Sequence, residues 1–436
     1  MSELNIQYLP AISLAEYTGN ARKHSPAQIR QIARSIEEFG FINPVLIDAD
    51  GQLLAGHGRL MAARKLGLEK VPAVQIEHLS DAQRRAYMLA DNKIAENADW
   101  DSSLLKVEIE YLMQADIDFD VDLTGFSTPE IDLILDLDEE ATDEDPIPEP
   151  PSSESTVTQP GDVWILRHHR VICGDIREEK AISSLFNNEQ ARMVMTDPPY
   201  NVPINGHVVG KGAHQHSEFA MASGEMSEAD FSAFLKDSIE RMSSHCVSGA
   251  LLYICMDWRH LDVLQAVCKE LSLSSINLCV WAKASGGMGS LYRSQHELIL
   301  VVKKGKAPHT NNVELGKHGR YRTNVWQYAG MNSFGANRDE LLALHPTVKP
   351  VAMIADAIKD VTHQGDIVFD GFLGSGTTLL AAEQTHRRCI GVEIDPRYVD
   401  VALSRWMSLT GLSPVHRETG STFEEMREQR LGAECA

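Results

Sequence analysis

The residues best suited to chemistry in this chain are the tetrapeptide Asp197-Pro198-Pro199-Tyr200. The apolar run before it, 193–196, predicts a buried strand, which must end here because neither proline can donate a hydrogen bond to a sheet. Ligands of open α/β sheets collect just beyond the carboxyl ends of the strands. There, the Asp197 carboxylate and the Pro198 carbonyl could accept both N–H bonds of a nucleobase amine, and the Tyr200 ring could stack on a base that has left the duplex. The alternative is a strand followed by an ordinary proline-rich turn.

A second candidate site is the glycine-rich turn that follows a predicted strand at Asp370 and runs through Gly371, Gly374, Gly376 and Thr377. Thr377 stands where a phosphate-binding P-loop needs lysine, and Leu379 stands where the dinucleotide fingerprint needs a third glycine. An acid beside small residues suits a cationic ligand without phosphates. Glu393 ends the next predicted strand, where a carboxylate can accept both hydroxyls of a ribose. S-adenosyl-L-methionine has a ribose, an ammonium and a sulfonium, and we expect it as the cofactor.

Alternating strand and helix patterns surround both sites. They predict an α/β domain with a largely parallel sheet, which opens with a hairpin at 163–173. The polar loop 201–225 is long enough to predict a mobile lid over the substrate pocket. Its three histidines have no acid or cysteine spaced to complete a metal site, so we expect no bound metal.

Length and composition limit the class of protein. A chain of 436 residues with 43% hydrophobic content predicts two or three domains. The sequence shows neither a transmembrane run nor a secretion signal, and its seven cysteines form no C-x-x-C pair. These features favour a cytoplasmic protein in a reducing environment, with no membrane partner.

The net charge of −22 argues only superficially against a nucleic-acid partner, because the charge is unevenly distributed. Residues 130–154 hold eleven acids and no Lys or Arg, whereas residues 281–349 hold ten Lys and Arg against four acids. Salt screens charges beyond about 10 Å, so a local basic face can bind phosphates on an acidic molecule. Aromatic residues lie among these cations. We therefore expect a target-recognition region at about 284–345 and DNA contacts from Lys283, Arg293, Lys317, Arg320 and Arg322.

The first 95 residues resemble the amino-terminal domain of the ParB partition proteins. The resemblance rests on 35–40, Asn43-Pro44-Val45, the Gly56-to-Ala63 box and the Val71-Pro72 strand. It implies a small α+β domain with a nucleotide or DNA contact at Gly56 and Arg59. His57-Gly58 replaces the family's Glu-Arg pair, and Met61 replaces its later Arg. These departures argue against CTP hydrolysis and favour a binding or docking module.

Three further segments complete the predicted organisation. Residues 96–137 form a helical extension in which no helix-turn-helix is recognised. Residues 138–160, acidic and then rich in proline and serine, predict an extended, solvated linker. The α/β domain spans 161–412, and residues 413–436 form a carboxyl-terminal tail.

Residues 155–410 resemble the amino-methylating DNA methyltransferases of the beta arrangement, in which the catalytic motif precedes the cofactor motif. The carriers include Gly174-Asp175, Thr196 to Tyr200, Trp281-x-Lys283, Tyr292 to Glu297, the 345–350 segment, Phe369 to Thr378 and Gly391-x-Glu393-x-Asp395. The resemblance implies a circularly permuted, Rossmann-like α/β fold and double-stranded DNA as substrate. A homodimer is compatible with it.

The same resemblance implies the roles of the site residues. The catalytic motif would be Asp197-Pro198-Pro199-Tyr200, acting on adenine N6. Cytosine N4, an RNA substrate, and a DNA-binding regulator with a vestigial methyltransferase domain remain as alternatives. Glu393 would meet the cofactor ribose, Asp175 its adenine ring, and Lys349 its flank. The methionine portion would lie against the turn residues Asp370, Gly371, Gly374, Gly376 and Thr377.

Overall fold

The computed structural model describes residues 4–95, 97–98, 100–115, 121–136, 148, 150–201, 224–283, 291–313, 322–328 and 349–432. The chain divides into two compact units, Met1–Asp138 and Glu139–Ala436. None of the helices in these ranges is both long and apolar enough to cross a membrane.

The first unit contains a small mixed sheet in the order β1-β4-β2-β3, with β4 antiparallel to β1 and parallel to β2. Its strands are β1 (Ile6–Pro10), β2 (Val45–Ile47), β3 (Leu53–Ala55) and β4 (Lys70–Gln75). Its α-helices are Pro26–Phe39, His57–Lys65, Asp81–Ala95, Ser102–Gln114 and Thr128–Leu135, with a 3₁₀ turn at Val121–Thr124.

The first helix of this unit begins and ends where the sequence predicts. The hydroxyl of Ser25 accepts a hydrogen bond from the backbone N–H of Gln28 at 3.1 Å, and Pro26 occupies the first turn. Gly40 follows the last turn with φ +81°, a conformation that favours glycine.

The second unit is built on a ten-stranded sheet within the described ranges, in the order β11-β9-β10-β8-β7-β12-β13-β6-β5-β14. The strands are β5 (Val163–Leu166), β6 (His169–Cys173), β7 (Ala191–Thr196), β8 (Cys246–Met256), β9 (Ser274–Ala282), β10 (His296–Lys303), β11 (Val325–Gln327), β12 (Ile367–Asp370), β13 (Arg388–Glu393) and β14 (Val415–His416). The α-helices are Glu179–Phe186, Glu228–Ser244, Leu261–Glu270, Val351–Val361, Thr377–Gln384, Pro396–Thr410 and Phe423–Leu431.

The sheet has a parallel centre and one further parallel pair, β11 with β9, at its edge. β8, β7, β12, β13 and β6 run parallel to their neighbours in that series, whereas β10 is antiparallel to both β8 and β9, and β5 is antiparallel to β6 and β14. The prediction of an α/β sheet is confirmed, and its antiparallel flanks correct the expectation of a largely parallel one. The five parallel strands are covered by apolar clusters on both faces, and strands buried on both sides read as continuous apolar runs.

Both ends of this unit are more ordered than the sequence predicts. The backbone N–H groups of Val157 and Thr158 donate to the buried Asp400 carboxylate at 2.6 and 3.0 Å, so the end of the predicted linker is packed rather than solvated. The predicted tail supplies β14 and the helix Phe423–Leu431. Arg430 in that helix forms an ion pair with Asp162. Such long-range pairings leave no local sequence pattern.

Candidate active site

Four neighbouring strands bring the predicted sites together. β7, β12, β13 and β6 are adjacent and parallel, so their carboxyl ends share one edge of the sheet. The catalytic tetrapeptide follows β7, the glycine-rich turn follows β12, Glu393 ends β13, and Gly174-Asp175 follows β6. The structure therefore brings residues as far apart in the sequence as Gly174 and Glu393 to one edge of the sheet.

Asp197 lies in a chain of charged groups. Its Oδ1 accepts a hydrogen bond from the Tyr200 hydroxyl at 2.5 Å, and its Oδ2 is paired with the Lys349 ammonium. Lys349 is only 6% exposed and is also 2.9 Å from Glu297 Oε2. Glu297 is paired in turn with Lys283. Lys349, predicted to flank the cofactor, thus contacts the catalytic motif itself.

Charge and burial compete within this chain of groups. Burial by itself would lower the pKa of Lys349, but the carboxylates of Asp197 and Glu297 outweigh it and raise that pKa. Burial would likewise raise the pKa of Glu297, and the ammonium groups of Lys349 and Lys283 lower it to about 2. The pKa of Tyr200 is raised, first by burial and then by the neighbouring carboxylates. At neutral pH Lys349 is therefore charged and the Tyr200 phenol retains its proton.

Asp370 is 4% exposed, and both of its carboxylate oxygens are hydrogen-bonded within the protein. Oδ1 accepts from the Thr196 hydroxyl and the Phe372 backbone N–H, both at 3.0 Å, and Oδ2 accepts from the Thr378 hydroxyl at 2.6 Å. Burial raises the pKa of Asp370 to about 6, although these donors oppose the shift. Asp370 therefore stabilises the conformation of the glycine-rich turn through buried hydrogen bonds to Phe372 and Thr378.

The three glycines of the turn meet different surroundings. A Cβ on Gly371 would lie 2.7 Å from Met242 Sδ, and one on Gly376 would lie 2.7 Å from Ala402 Cβ. A Cβ on Gly374 would meet no described atom within 4 Å. Gly371 and Gly376 therefore permit close internal packing, whereas Gly374 faces the space in which a ligand can lie.

Arg405 supports the same turn and was missed by the sequence analysis. Its buried Nη1 donates to the Ser375 carbonyl at 2.6 Å and the Ser375 hydroxyl at 3.1 Å, and lies 3.5 Å from Thr377 Oγ1. An arginine on the apolar face of the helix Pro396–Thr410 is the signal that could have indicated this role.

The two acids predicted to meet the cofactor differ in their present partners. Glu393 accepts hydrogen bonds from the backbone N–H groups of Gly374 at 2.8 Å and Asp395 at 2.9 Å, and burial raises its pKa to about 7. Asp175 binds the Arg177 guanidinium, with 2.6 Å between Oδ2 and Nη2. Burial would raise the pKa of Asp175, but the Arg177 side chain and backbone N–H lower it. The open Gly374 and the acidic Glu393 fit the ribose and cationic groups expected of the cofactor.

The five cations predicted to contact DNA differ in their surroundings. Lys283 pairs with Glu297, and Arg322 pairs with Asp356 at 3.2 Å and Asp360 at 2.9 Å. Both side chains form ion pairs within this unit, and DNA contacts from them stay predictions. Arg293 is exposed, and a DNA contact from it stays a prediction. Lys317 and Arg320 lie outside the described residues.

The predicted lid also falls mostly outside the described residues, at 202–223. Its described flanks meet at Asn201, directly after Tyr200. The Asn201 side chain accepts from the backbone N–H groups of Gly224 at 3.1 Å and Met226 at 3.2 Å, and donates to the Met226 carbonyl at 2.9 Å. Both ends of the segment are therefore fixed beside the catalytic motif.

In the first unit, Gly56 caps the helix His57–Lys65 with φ +92°. The Arg59 guanidinium folds back over it, so that a Cβ on Gly56 would lie 3.1 Å from Arg59 Nη2. Within the described part of the chain, Arg59 Nε and His57 Nε2 are buried without a hydrogen-bond partner. Burial lowers the pKa of His57.

Comparison with known proteins defines the class to which this fold and site belong. Residues 191–404 match the DNA methylase family, residues 2–93 match the ParB N-terminal domain, and residues 103–160 match the ParB-methyltransferase HTH domain. The last match corrects the sequence analysis, which recognised no helix-turn-helix. That segment has a small core around Ile109, Ile131 and Leu135, which gives a weak periodic signal.

Individual known proteins are similar to parts of this chain. The ParB-like nuclease domain-containing protein YnaK of Escherichia coli (strain K12) is 48% identical over 86 residues, which cover 20% of this chain and 99% of that protein. Type II methyltransferase M.HpaI of Haemophilus parainfluenzae is 25% identical over 252 residues, which cover 54% of this chain and 73% of that enzyme. The crystal structure of the M1.HpyAVI–SAM complex aligns with 54% of this chain and 97% of its own, at 22% identity and a TM-score of 0.40.

Residues 191–404 of the chain therefore form a DNA methylase domain of the N6/N4 type. A ParB N-terminal domain and a ParB-methyltransferase HTH domain precede its methylase domain.

Proposed function

We propose that this protein transfers a methyl group from S-adenosyl-L-methionine to N6 of an adenine that has left a DNA duplex. The observation that carries the proposal is Asp197 at the end of β7, one strand away from the glycine-rich turn that ends β12. Base and methyl donor would thus meet at adjacent strand ends.

The catalytic motif supplies acceptors and a stacking surface. The adenine amine is a poor nucleophile because its lone pair is delocalised into the ring. Asp197 and the Pro198 carbonyl would accept its two N–H bonds, and Tyr200 would stack on the base, a contact of about 1–3 kcal/mol. Holding the nitrogen in line with the methyl carbon supplies much of the acceleration.

The cofactor residues bind and orient. Glu393 would accept the ribose hydroxyls, and Gly374 would allow the ligand to approach the backbone. Asp175 would lie near the cofactor adenine. When bound, S-adenosyl-L-methionine supplies the methyl group: the nitrogen–carbon bond forms as the carbon–sulfur bond breaks, and the nitrogen then releases one proton.

The amino-terminal unit would act on DNA engagement. We propose that its ParB-like and HTH domains raise the effective concentration of the methylase domain on DNA. The buried, unpartnered nitrogens of Arg59 and His57 beside Gly56 support an anionic ligand there, such as a nucleotide.

Nucleoside analysis of DNA methylated in vitro tests the proposal. Wild-type protein should produce N6-methyladenine, and Asp197→Ala should produce less than about one tenth as much, given the hundredfold losses typical of such electrostatic groups. Cofactor binding, measured by calorimetry, should survive in the variant. If the product is N4-methylcytosine, the target is cytosine and not adenine. If the treated DNA contains neither methylated base, the proposal is refuted.

A further inference from the structure

Lys349 is the residue whose position departs furthest from its expected role. It precedes the helix Val351–Val361, yet its ammonium binds Asp197 Oδ2 and lies 2.9 Å from Glu297 Oε2. Glu297 lies in β10, and its other oxygen is bound by Lys283 after β9. The segment before that helix, β10 and the end of β9 are therefore linked, through Lys349, to the acid that follows β7.

The signs of these charges alternate from Lys283 to Asp197. A buried ammonium without a counter-charge is strongly unfavourable, and two carboxylates with no cation between them repel each other. Lys349 therefore lies between the carboxylates of Asp197 and Glu297, and Lys283 balances the charge of Glu297. The chain of four ions is neutral overall, and only its last member, Asp197, belongs to the motif that meets the base.

The two oxygens of Asp197 have unlike partners. Oδ2 is bound by a cation that Glu297 holds in place, whereas Oδ1 is bound by the neutral hydroxyl of Tyr200 at 2.5 Å. The bond at Oδ1 is charge-assisted, but its donor is uncharged, so exchanging it strands no ion; breaking the pair at Oδ2 would leave a buried ammonium without one of its counter-charges. An incoming N–H donor can replace the phenol at Oδ1 without leaving an oxygen of Asp197 unpaired.

We propose that Lys349 and Glu297 are positioning residues that reserve Asp197 Oδ1 for the target amine, which takes the place of the Tyr200 hydroxyl. This inference rests on the proposed function. Its site differs from the one that the family resemblance implies for Lys349, because it assigns the lysine to the acceptor of the amine and not to the cofactor.

The first experiment removes the cation. Lys349→Met leaves Asp197 and Glu297 facing each other, with Tyr200, Cys255 and Lys283 as the other titratable neighbours. The kcat for DNA methylation should fall about hundredfold, as for loss of a major electrostatic group. The acid limb of its pH profile should move to higher pH, because one of the two carboxylates then binds a proton more readily. The Kd for S-adenosyl-L-methionine should stay within about twofold, because the lysine is expected to act on turnover and not on cofactor binding.

A second variant guards against misfolding. Lys349→Met/Glu297→Gln removes one charge of each sign, so it should unfold at higher denaturant than Lys349→Met and recover part of the lost kcat. Lys236→Met is the matched control, since Lys236 forms an exposed ion pair with Glu270, and it should keep wild-type kcat. Tyr200→Phe should bind target DNA more tightly, because nothing then competes for Oδ1.

The outcomes are distinct. A wild-type kcat and pH profile in Lys349→Met would overturn the inference while leaving the proposed function intact. If Lys349→Met loses only cofactor affinity, Lys349 acts at the cofactor site and the inference is wrong. A double variant no better than the single one in folding and kcat would also overturn it. Wild-type protein that methylates no DNA would instead refute the proposed function.

Discussion

Thr196 donates a hydrogen bond from its hydroxyl to the carboxylate of Asp370, with 3.0 Å between Oγ1 and Oδ1. Thr196 is the last residue of β7 and Asp370 the last residue of β12. The bond therefore joins the strand that presents the catalytic motif to the strand that presents the glycine-rich turn. Because Asp370 also accepts from Thr378, one buried carboxylate fixes both halves of the site.

Thr196→Val should weaken this connection without a change in side-chain volume. One hydrogen bond to a buried carboxylate is lost, and we expect a destabilisation of about 1–3 kcal/mol. The kcat should fall because the two strand ends are no longer held in register. Urea unfolding and steady-state kinetics check this. Thr385→Val, whose hydroxyl bonds only helix carbonyls at the other end of Thr377–Gln384, is the control and should keep wild-type kcat.

Gly376→Ala and Gly374→Ala form a matched pair. Both glycines have positive φ, of +87° and +53°, so both substitutions carry a backbone cost of about 1–2 kcal/mol. Only Gly376→Ala also collides with Ala402, and it should unfold at markedly lower denaturant. Gly374→Ala should fold yet lose cofactor affinity, because its methyl group enters the open space. If Gly374→Ala binds the cofactor as tightly as wild type, the cofactor does not lie beside Gly374.

Cofactor binding should depend on pH through Glu393. Burial raises the pKa of Glu393 to about 7, so the carboxylate is ionised at pH 8 and mostly protonated at pH 6. A charged acceptor contributes about 1 kcal/mol more per hydrogen bond than a neutral one, so the Kd should rise several-fold as the pH falls through 7. Calorimetry at pH 6, 7 and 8 measures this. Glu393→Gln should bind the cofactor weakly at every pH. If its Kd changes with pH as the wild-type Kd does, a group other than Glu393 causes the pH dependence.

Two fragments test the boundary of the methylase unit. A fragment starting at Ser155 keeps the backbone bonds from Val157 and Thr158 to Asp400, and we expect it to methylate DNA with unchanged kcat and an altered KM or salt dependence. A fragment starting at Asp162 leaves the buried Asp400 carboxylate without those donors and should lose about 1–3 kcal/mol or more of stability. A folded, cofactor-binding Ser155 fragment that transfers no methyl group would place the amino-terminal unit in the active site.

Much of the fold could be predicted because its signals are local. The strand before Asp197 ends at two prolines, the strand before Gly371 ends in a glycine-rich turn, and the helix Pro26–Phe39 carries its own cap and stop. Each feature depends on the backbone preferences of a few consecutive residues. The family matches confirm the class that these motifs indicated, including the ParB-like domain.

Side-chain partnership could not be predicted in the same way. Lys283 and Arg322 looked like DNA contacts because they lie in a basic segment, but the charges that meet them stand on other elements. Arg405 drew no attention, and Glu297 appeared only as the end of the Tyr292-to-Glu297 motif, with no role assigned to it. Composition counts charges along the chain, whereas pairing depends on which strands become neighbours.

The sequence by itself determined the order of elements, the two motifs and the class of enzyme, because each is written in short stretches with fixed stereochemical preferences. Only the tertiary structure decided that the Lys349 ammonium pairs with the Asp197 carboxylate, 152 positions away, and that Asp370 links β7 to β12 through a hydrogen bond. The physical reason is that burial removes water as a partner. Each buried charge must then take its partner from whatever the strand order has brought beside it.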